Sequence, residues 1–209
     1  MGTRDELKRL MPSEDAKLEA LNQHYQNTFT GIQQYLRIRD TFFFLILLIS
    51  SFMLFQMASP REAGNAITEF IAKKLAIEQR MDISFISAII WFSLLMLTVR
   101  YYQTVVHIER QYNYISRLEK HLSSLYDGKL FTRESKSYLE KYPWFSDWAW
   151  GLYTIVFPIL LSGLVTVKLW TEFSVLLCPL SFWFWADAVM WLCLIISTGL
   201  YMVMLHLGK

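Results

Sequence analysis

Cysteine is scarce in this chain: 209 residues hold two, Cys178 and Cys193. That excludes a disulfide framework and any Cys-x-x-Cys metal site, and both thiols read as ordinary buried side chains. The four histidines (His24, His107, His121, His206) are scattered, and none has a metal-type companion three or four residues away. Gly-rich phosphate loops, GxSxG and HExxH are all missing. The chain therefore reads as no enzyme, with no catalytic, cofactor or metal constellation. Glycine and proline number eight and five, and neither occurs between Asp82 and Asp127. A net charge of +2 gives no basis for nucleic-acid binding. The most telling absence is of lysine and arginine from four long apolar runs, 41–58, 83–99, 148–167 and 181–207, which share one carboxylate, Asp187.

What is present is apolar. Hydrophobic residues make up 54% of the chain and aromatics 16%, well beyond a typical soluble domain. A membrane span needs about 20 mostly apolar residues, so the four runs read as four transmembrane helices, the first two including interfacial residues at their ends. The expected fold class is all-α: an integral membrane protein with four spans and long cytosolic juxtamembrane helices. Lysine and arginine number six before the first run, four between the first and second, and eight between the second and third. By the positive-inside rule the N-terminus, the 100–147 region and the C-terminus face the cytoplasm, in the cytoplasmic (inner) membrane. The first apolar run begins only at residue 41, so it reads as a retained anchor and not as a cleaved signal peptide.

The polar segments carry helical patterns. Residues 1–40 form a cytosolic amphipathic region, with Pro12-Ser13 as a start signal and Leu18, Leu21, Tyr25, Phe29, Ile32 and Leu36 along one face. Gly31 marks a bend there, and Arg37 and Arg39 sit where lipid head groups lie. Residues 41–99 form a transmembrane hairpin whose outer connection holds a capped helix at 59–80, signalled by Ser59-Pro60-Arg61-Glu62. That helix lies on the outer leaflet or caps the bundle. The second span runs on into the 100–147 region, where Ile108, Tyr112, Ile115, Leu118 and Leu122 make a seam for a partner or a second copy. Asp127-Gly128-Lys129 ends this helix, and 132–142 returns as a shorter amphipathic one.

Residues 148–209 form a second hairpin. Aromatics gather at its two ends (Tyr142, Trp144, Phe145, Trp148, Trp150, then Phe182 to Trp185) and read as interfacial belts, not as a ligand cage. Asp187 lies in the outer belt, where it meets water or pairs with Lys168; in a symmetric oligomer it would form an acidic ring. Thr154, Pro158, Ser162 and Thr166 recur every four residues and form a stripe for helix packing or for lining a pore, with Pro158 kinking the helix.

An amphipathic N-terminal helix, then two spans with Arg37 to Asp40 set against the first, then a long helix after Arg100: this layout resembles the SLATT-type proteins of prokaryotic conflict systems over about Ser13 to Tyr126. In size and span count the chain is similar to small multi-pass subunits of anti-phage systems, including Kiwa-type membrane components. Spans three and four depart from the two-span SLATT plan. The resemblance implies a sensor or pore-type effector, homo-oligomeric and coupled to a cytosolic effector protein. The alternative is a scaffold or assembly subunit of a larger membrane complex; coupled transport is disfavoured by the lack of charged relays.

Overall fold

The computed structural model describes residues 14–75, 83–125, 148, 151–175 and 182–206, and all of these but Ser59 are helical. Helix α1 spans Glu14–Ala58, α2 Pro60–Leu75, α3 Ile83–Leu125, α4 Phe157–Val175 and α5 Phe182–His206. Four of the five (α1, α3, α4, α5) contain stretches long and apolar enough to cross a membrane. Only 22–33% of each apolar window is buried within the protein, so most of this surface faces outward. Phe44, Leu48, Phe92, Leu160, Trp170 and Leu200 are among the large side chains so exposed.

The two polar-to-apolar junctions are uninterrupted. α1 is one helix of 45 residues that passes through Gly31, and α3 is one of 43. A β-carbon added at Gly31 would meet nothing within 4 Å, so the helix does not use this glycine for a close approach. α2 begins as its sequence predicts. Ser59 breaks the helical run, its carbonyl accepts the Ala63 N–H at 2.9 Å, and its own N–H still reaches back to the Phe55 carbonyl at 2.9 Å. Pro60 then occupies the first helical position, where a missing N–H costs nothing.

The chain divides into two compact units. One joins the part of α1 up to Ile38 to the part of α3 from His107. Its contacts run antiparallel: His24 Nε2 to Tyr114 Oη at 2.8 Å, Tyr25 Oη donating to Glu119 Oε1 at 3.2 Å, and the Tyr35 and His107 rings 4.3 Å apart. Ile32 on α1 is fully buried, as are Ile108, Ile115 and Leu118 on α3 to within a few per cent. The amphipathic face read at Leu18 to Leu36 is the covered one.

Three members of the seam, Ile108, Ile115 and Leu118, are buried within the chain, and Tyr112 is exposed. Apolar faces three to four residues apart on two segments of one chain satisfy each other first, because joining them needs no second molecule. The side chain of Leu122 and the residues beyond Leu125 lie outside those described.

The second unit holds Arg39–Val106 with α4 and α5. Its interior positions step by three and four: Trp91, Leu94, Thr98 and Tyr101 on α3; Pro158, Leu161, Val165 and Lys168 on α4; Leu194, Thr198, Tyr201 and Leu205 on α5. Met53, Trp91, Leu94, Val165 and Leu194 are completely inaccessible and fill the middle of this unit. Farther along α3, Tyr102 stacks on Tyr201 at 4.1 Å and bonds Thr198 Oγ1 at 3.0 Å.

α4 is entered through a wide turn, Leu152–Val156, closed by the Phe157 N–H to the Leu152 carbonyl. Pro158 directly follows it. Proline cannot donate to the preceding turn and crowds the carbonyl four residues back, and one wide turn relieves both problems.

Candidate functional site

The third apolar run, 148–167, ends just before Lys168. The helix does not stop there: α4 continues to Val175, and its membrane-crossing stretch extends over Leu152–Ser174. One ammonium and one carboxylate therefore join Asp187 within apolar helices, correcting the expectation of a lone carboxylate. Lys168 Nζ pairs with Glu172 Oε1 at 3.1 Å, one helical turn on, and both side chains are largely covered. Ser87, from α3, donates a second hydrogen bond to the same oxygen at 3.1 Å.

Asp187 is not at the wet surface. It is 4% exposed, and the described ion pair of Lys168 is with Glu172. The register of α5 explains this: Asp187 lies seven residues before Leu194, two helical turns back on the inward face.

These groups border a cavity of about 280 Å³. Gln56 of α1, Ser87, Lys168, Glu172 and Asp187 form its polar wall, and Pro60 and Ala63 bring α2 to its rim. Trp183 and Phe184 complete it. The aromatic set that opens α5 is split: Phe182 and Trp185 are exposed, whereas Trp183 and Phe184 line the cavity. Three buried oxygens in this wall have no hydrogen-bond partner: Gln56 Oε1, Glu172 Oε2 and Asp187 Oδ1. Buried polar atoms normally find partners, and these three belong to residues that border one cavity. No group of three or more His, Cys, Asp or Glu among the described residues is arranged to hold a metal ion.

The stripe on α4 separates. Thr154 is 4% exposed and Pro158 fully buried, Ser162 is half-buried, and Thr166 is exposed. A step of four residues drifts by about 40° around a helix, so three steps carry the stripe from the inner face to the outer. The inner face instead follows Thr154, Pro158, Leu161, Val165 and Lys168. Ser162 Oγ donates to the Pro158 carbonyl at 2.8 Å, and Thr166 Oγ1 accepts the Trp191 indole N–H at 3.1 Å, tying α4 to α5. Gly163 also faces outward, with nothing within 4 Å of an added β-carbon. Cys193, read as a buried thiol, lies exposed on α5; Cys178 is outside the described residues.

The cavity was not read from the sequence; the one available signal was that Lys168, Glu172 and Asp187 fall within 20 residues of one another. No protein-family profile, curated protein or solved structure matches this chain.

Proposed function

We propose that this is a four-span membrane protein that senses at the cytoplasmic membrane and signals inward, with no chemistry of its own. The observation that carries this reading is a cavity with Lys168, Glu172 and Asp187 in its otherwise mostly apolar lining, next to a dry apolar interior. Met53, Trp91, Leu94, Val165 and Leu194 are inaccessible and fill the interior with apolar groups and one indole, while Lys168, Glu172 and Asp187 border the cavity. Such an arrangement suits a site that is occupied and released, not a path that conducts.

Both chain ends are assigned to the cytoplasm by the distribution of lysine and arginine, which puts the cavity and α2 at the outer face. The same rule assigns the segments that form the α1–α3 helix pair to the cytosol, where an effector protein would dock. α3 alone would measure about 65 Å at 1.5 Å per residue, twice a hydrocarbon core of about 30 Å. Its length supports one element carrying a change from the outer site to the cytosol. The resemblance in layout to SLATT-type and Kiwa-type membrane components supports anti-phage defence as the setting.

A pore-type effector is the second reading, and a specific observation favours it: Ser162, Gly163 and Thr166 stand on an outward face of α4, where copies of the chain could meet. Potassium flux from proteoliposomes separates the two. The sensor reading predicts that purified protein leaves the gradient intact across the range of protein densities. Sustained flux, abolished by Ser162→Leu and Thr166→Leu, would replace it with an oligomeric pore.

A further inference from the structure

The cavity of about 280 Å³ is lined mostly by apolar surface. Met57 of α1 and Trp183 and Phe184 of α5 supply the bulk of its wall. α2 meets it with Ala63 and Gly64, which take up little room. Ligand pockets combine such apolar and aromatic walls with a few polar groups, and this one lies just below their usual range of volumes. Its walls forgo packing contacts that an occupant of matching chemistry would restore.

The charged side chains on its border do not call for an ion. Lys168 is the only cation among the described lining residues, and its ammonium is engaged by Glu172 at 3.1 Å. Ser87 gives its hydrogen to the same carboxylate at 3.1 Å. An anion therefore finds no free cation here, and a hydrated ion would shed its water against walls that are mostly apolar. Hydrocarbon bears no such cost and gains contact with both aromatic rings. Size sets its length: about 280 Å³ is the liquid-volume share of about nine water molecules, room for about nine carbons. The helices that border the cavity at Gln56, Ser87, Lys168 and Asp187 are the four apolar enough to cross a membrane, so hydrocarbon surrounds them.

We propose that this cavity binds a hydrocarbon group of up to about nine carbons, packed against Trp183, Phe184 and Ala63. The group belongs either to a free uncharged amphiphile or to an acyl chain of a membrane lipid. This rests on reading the cavity as the input site, and it names the class of ligand for that site.

The test is quenching of Trp183 fluorescence in the full-length protein in phosphatidylcholine nanodiscs, taken as the signal that Trp183→Phe removes. A free amphiphile predicts saturable quenching by added bromoalkanols, tightening with chain length to about nine carbons and then weakening about tenfold. An acyl chain predicts quenching by phosphatidylcholine brominated on its tails, with no added ligand. Thr171→Phe puts a ring into the cavity and should weaken either signal by about tenfold or more. The Thr171 hydroxyl donates to the Val167 carbonyl of its own helix at 2.8 Å, so this change breaks no hydrogen bond between helices. Phe184→Ala enlarges the space and should shift the preferred length to longer chains, which guards against a folding defect in the first variant. The assignment is overturned if neither source quenches Trp183, or if Thr171→Phe leaves the quenching unchanged. Binding that leaves hydrogen exchange over 14–38 and 107–125 unaltered would keep the ligand and overturn the input-site reading instead.

Discussion

Lys168→Met is expected to be the most destabilising single substitution in the unit that holds α4 and α5, by about 3–5 kcal/mol. The side chain is 9% exposed, and its ammonium stands 3.1 Å from Glu172 Oε1. Methionine keeps the length and apolar stem but leaves Glu172 buried with no cation, and Asp187 on the same cavity with none either. The cost comes from these stranded charges more than from the lost attraction, because burying an ion pair already spends most of its Coulombic gain on desolvation. The double variant Lys168→Met with Glu172→Gln should therefore recover most of the loss, since the second change removes the stranded charge. Unfolding in mixed micelles, measured on both variants, checks the pattern. Equal instability of the single and the double variant would show that the lysine acts through packing alone.

Trp91→Ala is the second large effect, expected at about 3 kcal/mol, the low end of the range for such truncations. Trp91 is fully inaccessible, at the level of Met53, Leu94, Val165 and Leu194. Its loss opens a void that the neighbouring helices close only in part. For an unfolded reference still inserted in lipid, the water-to-oil transfer contribution falls away and the packing contribution remains. The indole N–H has no hydrogen-bond partner. Trp91→Phe thus removes volume but strands no acceptor, and it should cost less than about 1.5 kcal/mol. The same unfolding assay distinguishes the two. A Phe variant as unstable as the Ala variant would mean that the N–H is engaged by a group the packing does not reveal.

The legible and illegible parts of this protein divide by kind of interaction. Local signals in the sequence suffice for the start of α2, since Ser59 and Pro60 act within one turn, and for the four apolar helices, since length and composition decide them. The covered face of α1 was equally plain from Leu18 to Leu36. Its partner was not: nothing in the spacing of Ile108, Ile115 and Leu118 says whether they meet another molecule or residues 80 positions earlier in the same chain.

The site was obscured by a sound rule applied at a boundary. A charge normally ends an apolar run, and Lys168 ended one here. Yet a lysine and a glutamate four residues apart can neutralise each other on the helix and let it continue, with Ser87 from α3 completing the shell. The stripe from Thr154 to Thr166 runs from the inner to the outer face, because a period of four is not the helical period of 3.6.

The central proposal is that the cavity bordered by Lys168, Glu172 and Asp187 opens to the outer face, with the inaccessible layer of Leu94 and Val165 beneath it. Cysteine accessibility in sealed, oriented vesicles tests it, in a background where Cys178 and Cys193 are serine. Single cysteines at Gln56, in the cavity, and at Leu94 and Val165, in the layer, are challenged with a charged, membrane-impermeant thiosulfonate from each side. The account predicts that Gln56→Cys reacts from the outer side only and that Leu94→Cys and Val165→Cys react from neither. Labelling of Leu94→Cys or Val165→Cys, or of Gln56→Cys from the cytoplasmic side, would contradict it.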